Sequence, residues 1–184
     1  FAWFSQVIRS SVPENGAFFG YHIPPVTGIG FSFDLLSRLV DGFPGRFAGI
    51  KDSSADREHA RALGDRFGED LLVYNGNDAI MSHALQHSAV GCITLMTSLC
   101  SPISRRVWDQ HISGSDTSES QKQLDKVRAI LDRYPPAPPL VKYLIAQLFH
   151  FSEWAVRLPL QSLADDVKRK VWHELEEVMP ILED

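Results

Sequence analysis

Lys51 closes the apolar run Phe47-Ala48-Gly49-Ile50, and Asp52-Ser53-Ser54 follows at once. The run reads as a short buried strand, and the small and polar residues after it break the strand before a helix begins. A lysine at the rim of an apolar core loses part of its hydration, which favours the neutral, nucleophilic amine. A strand-end lysine that snorkels to water has no such role, so its surroundings decide. Tyr21 ends an earlier apolar run, Ala17-Phe18-Phe19-Gly20, and carries a phenol that can pass protons. Taken alone, it is equally a buried aromatic with one satisfied hydroxyl. A third run, Leu71-Leu72-Val73-Tyr74-Asn75, leads into Gly76-Asn77-Asp78, and a fourth, Val90-Gly91-Cys92-Ile93-Thr94-Leu95, carries Ile93 and Thr94 toward its end. Glycine at position 76 lets a ligand approach backbone, while Asp78 serves equally well as a helix cap.

These runs alternate with helical segments. An amphipathic stretch opens the chain at Phe1 without a capping residue, so a missing N-terminal part is expected. Helices are expected from about Ser32 to Leu39, with Ser32 as N-cap, and from about Ala55 to Phe67. Further helices are expected around Met81 and Leu85, and from Ser101-Pro102 to about His111. Successive βα units require crossover helices and hence a parallel sheet. Near-continuous apolar strands fit a sheet covered on both faces. The α/β class leaves two architectures open: a doubly wound sheet or part of a (β/α)₈ barrel. No G-x-G-x-x-G opens a helix, so nothing supports dinucleotide binding. In a barrel, chemistry sits at the C-terminal strand ends, where Tyr21, Lys51, Gly76-Asn77-Asp78 and Thr94 fall. Past the polar linker Gly114-Ser115-Asp116-Thr117-Ser118 the pattern becomes helical. The expected organisation is a partial barrel over 1–112 and a C-terminal helical region over 113–184, with the proline run Tyr134–Pro139 as a rigid turn.

Composition narrows the partners. With 184 residues, 44% hydrophobic and 22% charged, the chain can bury one core plus an appendage. A net charge of −5 and the lack of a basic stripe argue against nucleic acid and anionic membranes. No apolar run approaches the ~18 residues that span a bilayer, and no signal peptide is expected, since the first residues lack a basic region leading into an apolar one. Cys92 and Cys100 form no metal or disulfide pattern and suit a reducing, cytoplasmic compartment. His83 and His87 share a helix face without an acidic partner motif, so no metal is expected. His22 follows Tyr21 and, by strand alternation, points to the opposite face.

Taken in order and at this spacing, Tyr21-His22-Ile23-Pro24, Gly49-Ile50-Lys51-Asp52 and Gly76-Asn77-Asp78 resemble the dihydrodipicolinate synthase / N-acetylneuraminate lyase family. Arg157-Leu158-Pro159-Leu160 also fits. The resemblance covers the whole chain. It implies strands five to eight of a (β/α)₈ barrel followed by the C-terminal helices. It also implies a lyase or aldolase acting on pyruvate or another 2-oxo acid, with Lys51 as Schiff-base lysine and Tyr21 as proton relay. Gly76, Asn77 and Asp78 would contact the second substrate, and Ile93 and Thr94 would lie near the keto-acid carboxylate. No cofactor or metal is implied, because the lysine imine is the electron sink. A homo-oligomer, commonly a tetramer, is implied for the full-length protein.

Two departures matter. Where the synthases usually carry an arginine two residues after the motif proline, this chain has Val26, which cannot grip a carboxylate bidentately. A hydroxylated or sugar-derived 2-oxo acid therefore fits better than authentic 4-hydroxy-tetrahydrodipicolinate synthase activity. The family's threonine-bearing motif lies on an early strand with no counterpart here. An inactive half barrel, acting only as an assembly module, is the remaining alternative, since four strands cannot close a ring of eight.

Overall fold

The computed structural model describes residues 1–178. They divide between two compact units, Phe1–Ile93 and the described residues from Thr94 onward. In the first, α1 (Ala2–Ser11) precedes four strands: β1 (Phe18–His22), β2 (Phe47–Asp52), β3 (Leu72–Asn75) and β4 (Ala89–Cys92). The strands lie in chain order, and every neighbouring pair is parallel. Each connection is therefore a crossover. Helices α2 (Pro24–Thr27) and α3 (Phe33–Gly42) join β1 to β2, α4 (Arg57–Phe67) joins β2 to β3, and α5 (Met81–Gln86) joins β3 to β4.

The helix starts follow local side-chain chemistry. The Ser32 hydroxyl accepts the Leu35 amide at 3.2 Å, and α3 then buries Leu36 and Leu39. Ala55, expected as the start of the next helix, instead has φ 61. The Asp56 carboxylate caps α4 by accepting the Glu58 and His59 amides at 2.9 and 3.1 Å. The turn before α5 is capped by Asn77, not by Asp78 as the sequence suggested. Asn77 Oδ1 accepts the Ala79 amide at 3.0 Å and opens a short 3₁₀ turn, Asp78–Ile80. Ile8, Leu36, Leu39, Phe47, Ile50 and Leu63 form the heart of the core, each at most 2% exposed. This core packs the helices on one face of the sheet. On β2 and β3, Ile50 and Val73 point into it.

The second unit holds α6 (Thr97–Ile112), α7 (Ser118–Leu131), α8 (Ala137–Leu148) and α9 (Asp165–Glu176). Helix α6 begins before the expected Ser101, but Cys100 interrupts it with non-helical angles, so Ser101-Pro102 does open its longer part. The proline run departs from expectation: α8 starts at Ala137, with Pro138 and Pro139 in its first turn. There a missing N–H costs nothing, because those donors have no intrahelical acceptor. Leu124, Val127, Leu140, Leu144, Val171 and Leu175 form the apolar interior of this unit. Tyr134 donates to Glu174 on α9 at 2.6 Å, and Arg133 pairs with the same carboxylate. Among the described residues no helix is long and apolar enough to cross a membrane.

Candidate active site

Strand register decides which side chains meet. Tyr21 on β1 is paired with Lys51 on β2, and Lys51 with Tyr74 on β3. In-register residues of parallel strands point to the same face, so these three form a row. Two residues earlier, Phe19, Gly49 and Leu72 form a second row on that face. Helices cover the opposite face, whereas Phe19 and Tyr21 are open, Tyr21 by 49%. The paired termini His22, Asp52 and Asn75 point to the covered face and are all buried.

Lys51 Nζ donates to the Tyr21 hydroxyl at 3.0 Å and lies 4.2 Å from the centre of the Tyr21 ring. Burial alone would raise the Tyr21 pKa. The hydrogen bond from Lys51, the nearby Ser53 hydroxyl and the Lys51 charge outweigh it, and the phenol is held below its ordinary value of 10.0. An amine touching a phenol that gives up its proton readily is a pair suited to carbonyl addition with proton relay.

Backbone hydrogen bonds lash the strand ends together. The Ser53 amide donates to His22 O at 2.8 Å, the Gly76 amide to Asp52 O at 2.6 Å, and the Ile93 amide to Asn75 O at 2.8 Å. The Asn75 side chain holds the next turn from both sides: its Nδ2 donates to Asn77 O at 2.6 Å, and its Oδ1 accepts the Asn77 amide at 3.2 Å. Gly76 sits directly behind the lysine. A Cβ there would lie 1.9 Å from Ser53 Oγ and 2.9 Å from both Lys51 Cε and Asp52 O. Glycine is the only residue that leaves this side of Lys51 unobstructed.

The expected site residues are therefore placed unequally. Lys51 and Tyr21 touch, and Gly76 backs the lysine. Asn77 is half-exposed on the adjoining turn, while Asp78 is buried. Asp78 raises the pKa of Cys92, although burial is the larger cause, and together they push that thiol up to about 11. Ile93 lies just past β4 and is exposed. Thr94 belongs to the second unit, where its hydroxyl accepts the Thr97 amide at 3.3 Å and its carbonyl accepts the Thr97 hydroxyl at 2.7 Å.

Ser53 and Tyr74 were missed as site residues. Ser53 Oγ is buried without a hydrogen bond of good geometry among the described residues, yet it is close enough to lower the Tyr21 phenol. The signal was available: residue 53 lies two positions past Lys51, and a strand period of two returns it toward the same side. An open cavity of about 450 Å³ runs along β1 beside Tyr21, with Phe19, Thr27, Ile29 and Phe31 among its walls. On the covered face, ligand atoms of His22, Asp52 and His59 lie within 4.8 Å of one another.

Known proteins fit this arrangement. The sequence pattern of the dihydrodipicolinate synthetase family matches residues 2–178. The chain belongs to that family. An uncharacterized DapA-like lyase of Chloroflexus aurantiacus is 30% identical over 161 residues, 88% of this chain and 53% of that protein. Among solved structures, YagE, a prophage protein of the dihydrodipicolinic acid synthase family from E. coli K12 in complex with pyruvate, superposes with a TM-score of 0.87. Its identity is 18%, over 97% of this chain and 60% of that one. A variant of Sulfolobus solfataricus 2-keto-3-deoxygluconate aldolase, in complex with L-2-keto,3-deoxy-galactonate, gives a TM-score of 0.83. Its identity is 17%, over 100% of this chain and 62% of that one. At these identities the structural matches establish the fold: four consecutive parallel strands of a (β/α)₈ barrel and the helices that follow them. The chain spans about half the length of the curated relative and about 60% of the solved structures.

Proposed function

We propose that this chain supplies the Schiff-base half of a class I aldolase or lyase acting on pyruvate or another 2-oxo acid. In this reading the Lys51 amine attacks the keto carbon, and the carbonyl oxygen leaves as water once it has gained protons. The product is a protonated imine. Cleavage breaks the bond one carbon removed from the imine carbon: the C3–C4 electron pair becomes the enamine C2=C3 bond, the C4 hydroxyl gives up its proton, and C4 leaves as an aldehyde; synthesis runs the same step in reverse. Tyr21 passes protons between the nitrogen and the substrate oxygens. The observation that carries the reading is the 3.0 Å contact of Lys51 Nζ with the Tyr21 phenol at the C-terminal ends of adjacent parallel strands.

Gly76 and Asn77 would contact the second substrate. Asp78 would act through the shape of their turn, and Ile93 would lie near the keto-acid carboxylate. A hydroxylated or sugar-derived 2-oxo acid is favoured over the synthase's amino-aldehyde. Val26 on α2 is 77% exposed and offers no charge to a second carboxylate. Of the two structural relatives, YagE holds pyruvate itself, and the aldolase variant holds a hydroxylated, sugar-derived 2-oxo acid. Among the described residues β1 and β4 each pair on one side only, so activity is proposed for the chain joined by the strands that complete the ring. A cytoplasmic homo-oligomer, commonly a tetramer, that needs no cofactor belongs to the same reading.

Borohydride reduction in the presence of pyruvate tests it. The full-length polypeptide should carry a reduced pyruvyl adduct on Lys51, located by peptide mass spectrometry, and Lys51→Met should carry none. Absence of the adduct from the full-length polypeptide would overturn the proposal.

A further inference from the structure

The covered side of the strand ends carries a second device. His22 Nδ1 accepts the Phe31 amide at 3.0 Å, so a side chain of β1 holds the far end of the segment that follows it. Because Nδ1 is the acceptor, the proton of the neutral ring sits on Nε2. The segment is fitted to this ring. A Cβ at Gly30 would lie 2.5 Å from His22 Cε1, so only glycine lets the backbone come so close. The Phe31 ring packs over Gly20, where a Cβ would lie 3.1 Å from its Cζ. Thr27 and Ile29, in the middle of the segment, wall the cavity beside Tyr21.

We propose that His22 is a positioning residue: it latches the Ile23–Phe31 segment beside the Tyr21 phenol and does so only while its imidazole is neutral. A second proton must go to Nδ1, where it would point at the Phe31 N–H, and the bond that holds the segment is lost. The titratable groups facing His22 are Asp52 from β2 and His59 from α4. The His59 ring stacks on His22 with centroids 4.4 Å apart, and Phe33 of α3 stacks on His59 at 5.3 Å. Burial and then His59 disfavour the charged form of His22 more than Asp52 favours it, so neutral His22 is the resting state.

The same three side chains do not make a metal cage. The two imidazole planes are 12° from parallel, so their lone pairs run side by side instead of converging. Ligation through Nε2 would also need the proton on Nδ1, which breaks the Phe31 bond.

The latch is independent of the imine chemistry; only its bearing on Tyr21 rests on the lyase reading. Amide hydrogen exchange tests it in the full chain without substrate. The Phe31 protection factor, corrected for intrinsic exchange, should fall about tenfold in the wild type as the pH is lowered from about 7.5 through the depressed folded pKa of His22. His22→Asn, whose Oδ1 replaces Nδ1 as an acceptor that does not titrate, should hold its protection across that range. His22→Leu should lack it at every pH, and so should Gly30→Ala, with the Ile50 amide still protected in both as a check on folding. Should both of those variants fail to fold, the wild-type and His22→Asn series decide. Protection that ignores pH in the wild type, or falls equally in His22→Asn, would overturn the latch. Zinc-dependent shifts of the His22 and His59 ring signals would assign the cluster to a metal and overturn it as well. Failure of borohydride trapping at Lys51 with an intact Phe31 pH series would sink the lyase reading alone.

Discussion

Replacing Gly76 with alanine adds one methyl group behind the proposed nucleophile, and the structure says what it must displace. Its carbon would sit 1.9 Å from Ser53 Oγ, 2.9 Å from Lys51 Cε and 2.9 Å from Asp52 O. The serine side chain can rotate away. The lysine must retreat by roughly 0.5 Å to regain ordinary contact. Asp52 O is held in place as the acceptor of the Gly76 amide at 2.6 Å, so the methyl cannot gain room there without weakening that bond. Overpacking of this kind costs about 1–3 kcal/mol. For a chain of this size that is a melting-temperature loss of roughly 2–12 °C.

The larger effect falls on chemistry. A nucleophile displaced by a fraction of an ångström loses its approach to the carbonyl, and the rate of borohydride trapping by pyruvate should fall about a hundredfold. Gly45→Ala is the control. Gly45 has φ +71 and open space where a Cβ would go. Alanine there costs about 1–2 kcal/mol of backbone strain and touches nothing near Lys51. The two variants should therefore melt at similarly lowered temperatures while only Gly76→Ala traps slowly. A Gly76→Ala protein that is destabilised as expected yet traps at the wild-type rate would refute the idea that this glycine clears the lysine's path.

Other expectations follow from the same contacts. Tyr21→Phe should lower turnover of a 2-oxo acid substrate by about 10²–10⁴-fold while leaving some Lys51 adduct detectable by mass spectrometry. Lys51→Met removes both a hydrogen bond and a charge that hold the Tyr21 phenol down, so its titration, followed by ultraviolet difference spectroscopy against Tyr21→Phe, should move upward. The fold depresses the His22 pKa below its ordinary 6.5, so the unfolded chain binds that proton first as the pH falls. This contribution to stability is complete above pH 6.5 and is lost as the pH drops through the lower folded value. Melting temperatures over a pH series should show that slope, and His22→Asn should flatten it. Gly64→Ala would put a carbon 1.7 Å from His87 O, a backbone atom that cannot swing aside. It should cost at least about 3 kcal/mol, read by denaturant melts, because α4 must part from the turn before β4.

Which of these features could be seen before folding depends on how local their causes are. The four strands were legible as apolar runs: Pro24-Pro25 follow β1, Asp52 closes β2 and Asn75-Gly76 close β3, whereas nothing in the apolar run 90–95 marks the end of β4 at Cys92. The family's order of tyrosine, lysine and Gly-Asn-Asp then set them in a barrel. The α3 cap was legible for the same reason: Ser32 reaches an amide three residues on. The turn before α5 shows the limit. Asn77 and Asp78 are both good caps, and only the grip of the Asn75 side chain on residue 77 selects the asparagine. The start of α8 inside a proline run was misjudged because prolines forbidden within a helix are suited to its first turn. Ser53 needed the strand period carried past the last paired residue. The approach of His59 to His22 was beyond reach, because a contact between a strand end and a helix one crossover away leaves no periodic trace in either segment.

Strand alternation gives the dipeptides Tyr21-His22 and Lys51-Asp52 two jobs each. In each pair the first residue faces the open side and the second the helices, and register sets the two first residues beside each other and the two second residues likewise. The backbone between them is shared, and the Ser53 amide donates to the His22 carbonyl across the strands. A disturbance of the buried imidazole therefore reaches the phenol along one residue of stiff, hydrogen-bonded strand. That geometry makes His22 more than packing: a bulky apolar residue could fill its space, but it could not accept the Phe31 amide. An acceptor is required, and an acceptor that titrates makes the hold on residues 23–31 sensitive to acid. His22→Asn separates the two properties, because it keeps the first and discards the second.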